Sequence, residues 1–157
     1  MATEASVSRP TVYRYFDDRD ELIRSTMRVA AERLRTSVRE RMESLPSAAD
    51  MVVEAFVVAV AEIPNDPVLR AIWSTASQDR SIVVTFTEPA AIAWVRECLS
   101  PAVDASGWAD EEVYESIELV LRLAVSILVT AAPHRTPIEL RAFLHRRLVP
   151  SLGLQAP

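Results

Sequence analysis

The 157-residue chain has no lysine, a single cysteine, two glycines and few aromatic residues. Each scarcity excludes something. One cysteine, Cys98, cannot close an internal disulfide, so the chain must hold itself together by packing, and it suits a reducing, cytoplasmic setting. With so little glycine and ten scattered prolines, the pattern is one of helices separated by proline-marked breaks, and an all-α fold is expected. A long apolar run is missing too. The most apolar stretch, Ile117 to Ala132, contains Glu118 and Arg122 and falls short of the roughly 20 apolar residues a bilayer requires. It reads as a buried helix, and no association with a membrane is expected. Met1 leads into polar sequence, not an apolar core, so no signal peptide is expected.

Catalytic constellations are equally sparse. His134 and His145 stand without a neighbour at metal-ligand spacing, and Cys98 has no activating base nearby in sequence. The acid pairs Asp17-Asp18 and Glu111-Glu112 sit at expected helix starts, where the positive end of the helix dipole accounts for them. Neither an enzyme nor a bound cofactor is expected. The net charge of −5 argues against a general affinity for nucleic acid, but it is unevenly spread. Residues 1–41 hold 9 Arg against 7 acids, whereas residues 42–157 hold 8 Arg against 15.

What stands out against that background is Ser8 to Phe16, SRPTVYRYF, followed by DDRDEL. Ser8 is a natural N-cap, and Pro10 sits in the first turn, where a missing N–H costs nothing. Val12 and Phe16 share one face, which leaves Arg9, Thr11, Tyr13, Arg14 and Tyr15 around the rest of a short helix. Such a surface is basic, hydroxylated and aromatic. Thr and Tyr hydroxyls and helix N-termini donate to phosphates, and Arg can fork onto a guanine edge. Asp18 with Glu21 then forms a start like a capping box for the next helix.

Ala5-Ser6-Val7-Ser8, then Thr11 to Phe16, then Arg19-Asp20-Glu21-Leu22 resemble the tetracycline-repressor (TetR) family, whose pattern runs A-G-V-S, T-[LV]-Y-x-[YH]-F, [KR]-x-E-L. The resemblance covers residues 1 to about 24 by motif and the rest only by size and helical character. It departs at Ser6, which stands where the turn glycine is common, and at Met1, which aligns inside the second helix of the family's DNA-binding domain. In-frame codons for about 30 to 45 residues are therefore expected upstream, since a helix-turn-helix needs bracing helices. Without them, operator affinity should fall at least ~100-fold through lost phosphate contacts. The resemblance implies that Arg9, Pro10 and Arg14 reach bases and that Ser8, Thr11, Tyr13, Tyr15 and Arg19 contact phosphates.

Two parts follow from this reading: residues 1–44 as a partial DNA-binding helix-turn-helix with a connecting helix, and residues 45–157 as a ligand-binding and dimerisation domain. The connecting helix runs from Arg19 to about Leu45, with Leu22, Ile23, Met27, Ala30, Leu34, Val38 and Met42 at helical steps. Ala48 to Glu62 and Pro67 to about Ala76 are further helices, and another near Ile82 to Leu99 is kinked or restarted at Pro89. Pro101 to Trp108 reads as a helix tail and loop. A helix from residue 110 to about Thr130 and a last one capped by Thr136 and stopped by Pro150 complete the chain.

The family implies a ligand pocket among the middle helices, and Met51, Phe56, Val60, Trp73, Phe86, Trp94 and Leu121 are its candidate walls, suited to a hydrophobic small-molecule effector. Ordinary core packing is the competing account of each. Val113, Ile117, Val120, Ala124, Ile127 and Ala131 form a seam, and the Leu residues around it make that helix apolar nearly all round. Together with Leu140, Phe143, Leu144 and Leu148 of the last helix, this predicts a homodimer through a four-helix interface, the alternative being that both helices are intramolecular core. The expected function is that of an effector-responsive, usually repressing, transcriptional regulator that binds operator DNA; the alternative is a dimeric small-molecule-binding module without DNA binding.

Overall fold

A computed structural model describes residues 19–76, 89–130 and 135–155, leaving aside the side chains at 19–20, 22–24 and 72–76. Among these residues every regular element is an α-helix, in agreement with the all-α expectation. The helices are α1 (Arg19–Met42), α2 (Ala48–Glu62), α3 (Pro67–Ala76), α4 (Pro89–Cys98), α5 (Ser100–Ser106), α6 (Asp110–Val129) and α7 (Pro137–Ser151).

Helix α2 occupies the centre, because its sequence leaves it little choice. Ala48, Ala49, Val52, Val53, Ala55, Phe56, Val57 and Val58 are all buried, so apolar residues point in nearly every direction and neighbours must cover them. Its start is fixed locally: the Ser47 hydroxyl oxygen accepts from the Asp50 N–H at 3.1 Å. Helix α1 lies along one side, burying Ala30, Leu34, Val38 and Met42, which recur every fourth residue. Helix α7 lies along another, burying Leu140, Leu144, Leu148 and Val149 against Ala49, Val52, Val53, Phe56 and Val57. Across the turn between α1 and α2, Leu34, Val38 and Met42 share a buried cluster with Ala55 and Val58.

Local chemistry sets the remaining ends. Asp66 caps α3, its carboxylate accepting from the N–H groups of Val68 and Leu69 at 2.8 and 3.1 Å. At α7 the capping box is complete: the Thr136 hydroxyl accepts from Glu139 N–H at 3.3 Å and the Glu139 carboxylate accepts from Thr136 N–H at 2.8 Å. The carboxylate accepts from the Thr136 hydroxyl as well, at 2.9 Å, and the bonds from the Thr136 N–H and hydroxyl hold the Glu139 carboxyl below the usual carboxylate range.

Two elements differ from the sequence reading. Residues 100–106 form a helix of their own, α5, with Pro101 in its first turn, and it stops where Gly107 turns left-handed at φ 73°. Pro150 does not stop the last helix but lies inside its final turn. Pro150 removes one N–H, the donor to the carbonyl four residues back, and the helix ends one residue later. The stop is Gly153, at φ 67°: its N–H donates to Pro150 O and the N–H of Leu154 to Val149 O, a Schellman ending in which Leu154 packs back on the core.

Helix α6 closes the body. Val113 and Ile117 pack with Ile92 of α4, and Val120 joins the core around α2 and α7, so the seam read from spacing turns inward along much of its length. Tyr114 and Leu119 remain on the outside.

Candidate functional site

Packing is not complete everywhere. Between α1, α2, α4 and α6 lies a half-open cavity of about 370 Å³. Helix α1 contributes Met27, Ala31, Leu34 and Val38, α2 contributes Val52, Ala55, Phe56 and Ala59, and α4 contributes Ala91, Trp94, Val95 and Cys98. Helix α6 supplies Val120, Leu121, Ala124, Val125 and Leu128, while Ile63, Leu69 and Leu99 fill the corners. The surface is almost wholly carbon, and among the described residues Arg28 is the only charged one that borders it.

The space follows from side-chain size. Ala31, Ala55, Ala59, Ala91 and Ala124 face it from four helices, and among the described residues no large side chain fills what they leave. An apolar void of this kind stays free of ordered water unless polar groups line it. Cys98, buried at 4% exposure, is the wall's softest group; burial pushes its thiol up to about 12, so it remains protonated and neutral.

Polar fastenings ring the cavity and bind its walls together. Arg39 of α1 donates to the Glu97 carbonyl and to the Ser100 hydroxyl, both at 2.7 Å, and so ties α1 to the junction of α4 and α5. Its Nε is buried without a hydrogen-bond partner. Nearby, the Ser37 hydroxyl donates to Glu62, and Arg33 pairs with Asp66 at 3.0 Å. On the far side of α2, Arg141 forks onto Glu54 with bonds of 2.7 and 2.8 Å, and Arg41 lies 3.9 Å from the same carboxylate. The Arg141 hydrogen bonds hold the Glu54 carboxyl below the usual range against the opposing effect of its burial.

Of the residues proposed as pocket walls, Phe56, Trp94 and Leu121 line this cavity. Met51 and Val60 pack against the buried clusters around α2 instead. Trp73 lies on α3 with its side chain outside the described residues, and Phe86 lies outside them altogether. The DNA-facing candidates Ser8, Arg9, Pro10, Thr11, Tyr13, Arg14 and Tyr15 also lie outside, and Arg19 is described only as the first residue of α1. Sequence reasoning missed the alanines and the α1 wall. Ala55 and Ala59, one turn apart in a helix with five Val and a Phe, were the available signal.

Comparison with family models, with curated proteins and with solved structures finds no match. The cavity and the N-terminal motif are therefore the features that bear on function. Other chemistry has little to stand on: His145 Nε2 is 3.6 Å from Asp50 Oδ1, an ion-pair distance at the α2–α7 contact, and among the described residues no three His, Cys, Asp or Glu side chains cluster as metal ligands would. Nor is any helix among them long and apolar enough to cross a membrane.

Proposed function

We propose that this protein is an effector-responsive transcriptional regulator of the TetR type, acting as a homodimer on operator DNA and relieved by a hydrophobic small molecule. One observation carries the reading: the helix that follows the SRPTVYRYF segment, α1, is also a wall of the cavity. Its beginning continues the motif, Met27 and Ala31 border the empty space, and its end is fastened by Arg39 and Met42. A molecule seated between α1 and α6 presses on the first half of α1 while the second half stays held. In a dimer, that movement changes the separation of two recognition segments and hence their fit to successive half-sites.

The partner surface in this reading is the outer side of α6 and α7. Tyr114, Leu119 and Ile138 are exposed there, Ile138 to 77%, while Phe143 is covered by the Arg135 guanidinium at 4.3 Å. An obligate interface of this kind buries on the order of 2,000 Å² or more. Sedimentation should find a dimer at tens of micromolar, and a monomer there would remove the interface from the proposal.

DNA binding is tested by selection from random duplexes with the chain as given and with an upstream-extended form. Enrichment of a two-fold symmetric site, lost on adding effector, is the expected result. No enrichment by either form would favour the second reading, a dimeric small-molecule-binding module, to which the acidic balance of residues 42–157 lends support.

A further inference from the structure

The cavity's chemistry restricts its occupant more narrowly than "hydrophobic". Its walls are helical, so their backbone N–H and C=O groups are already paired along the helices. Among the described residues two wall residues stand outside the helices: Ile63, whose N–H donates to the Ala59 carbonyl, and Leu99, whose N–H donates to Val95 and whose carbonyl accepts from Val103, while beside it the Glu97 carbonyl and the Ser100 hydroxyl both accept from Arg39. Arg28 is exposed, and polar atoms make up almost none of the cavity surface, so this residue lends the wall its carbon stem more than its charge. A polar group carried into such a space gives up its water and finds no partner, which weakens binding by about tenfold to a hundredfold for each neutral group and by more for a charge.

Resting on the reading of this cavity as the effector site, we propose that it takes an uncharged, hydrocarbon-like molecule of roughly 12 to 18 non-hydrogen atoms, about what the volume allows when a cavity of ~150 Å³ holds benzene. The Trp94 ring and the neutral Cys98 thiol supply flat and polarisable surfaces that favour an aromatic or polyene skeleton. Discrimination is by exclusion: anions and multiply hydroxylated molecules of the same size are rejected because, among the described residues, almost no polar surface awaits them.

Two dyes with the same rings differ by a sulfonate, and anthracene and decanoate, both within the size limit, separate charge from size. N-phenyl-1-naphthylamine is uncharged and of the required size, and 8-anilino-1-naphthalenesulfonate adds a sulfonate. In fluorescence titrations of the purified chain, the uncharged dye should bind at one site per chain with a dissociation constant in the micromolar range, and the sulfonate at least ~10-fold more weakly. Anthracene should displace the uncharged dye, and decanoate should not. Ala55→Phe and Ala124→Phe should each weaken it by ~10-fold or more, with helical content checked by circular dichroism; Ala59→Leu is the milder variant should either fail to fold. Equal or tighter binding of the sulfonate, abolished by Arg28→Gln, would overturn the inference in favour of an anionic amphiphile while leaving the effector site standing. Dye bound unchanged by folded cavity-filling variants would also overturn it, because the dye would then sit elsewhere. If neither dye, anthracene nor decanoate binds, the cavity is no effector site, and the proposal of the preceding section fails with it.

Discussion

The two flanks of α2 bury similar residues to opposite ends. Toward α7, Ala49, Val53 and Val57 meet Leu140, Leu144 and Leu148, and the space is filled; Leu144 and Val149 have no exposed surface at all. Toward α1, α4 and α6, Val52, Ala55, Phe56 and Ala59 meet Ala31, Ala91 and Ala124, and about 370 Å³ stays open. Hydrophobicity does not distinguish the flanks, but side-chain volume does. The filled flank adds dispersion contacts and rigidity, against which the open flank can keep its shape.

Breaking the filled flank should have the largest effect. Leu144→Ala should destabilise by about 2–5 kcal/mol in urea unfolding, because Leu144 is fully buried in a filled core that cannot collapse into the gap. A loss below ~1 kcal/mol would mean that this flank is as loosely packed as the other.

Unfastening the same flank comes next. Arg141→Ala leaves Glu54, whose side chain is 15% exposed, without its forked partner and should cost about 1–2 kcal/mol near neutral pH. The pH dependence follows from the sign of the shift. Glu54's folded pKa is depressed, so its contribution is present above the unfolded value of about 4.3 and is lost as pH falls through the lower folded value. Acid unfolding curves of the two proteins should converge across that window, and a constant offset would assign the arginine a packing role only.

Filling the open flank should nearly erase the comparison at little cost. Ala124→Leu introduces volume where overpacking normally costs about 1–3 kcal/mol, yet here stability should change by less than ~1 kcal/mol while dye binding weakens. A normal overpacking penalty would indicate that the void closes in solution. The last effect is confined to alkaline pH, so near neutrality it is the smallest. Cys98's folded pKa is raised, so its contribution is complete below about 8.5 and declines as pH rises toward about 12. Cys98→Ala should flatten the stability profile over that range.

How much of this was legible in sequence depended on how local each cause was. Helices α2 and α7 start where Ser47, Thr136, Pro137 and Glu139 say they should, because a cap is written within four residues. The end of α7 was misread because Pro150 is the more conspicuous residue, although Gly153 followed by Leu154 carries the geometry that terminates it. The cavity was least legible. Large residues such as Phe56 and Trp94 mark a wall, but the empty volume arises where alanines from four helices coincide, and no periodicity along one helix records that meeting. Trp108 belongs to the same lesson: read as a loop residue, it donates its indole N–H to Leu152 O at 2.9 Å and joins α5's exit to the end of the chain.

The solitary thiol has a further use. Cys98 faces the void and is shielded by the very walls whose parting would admit a guest, and it is the chain's only sulfhydryl. A disulfide reagent such as 5,5′-dithiobis(2-nitrobenzoate) can react only during a transient breach that lets the thiol ionise. Its rate of colour release is then a clock for breathing of the wall, read at one address without background, and a lodged guest should slow it.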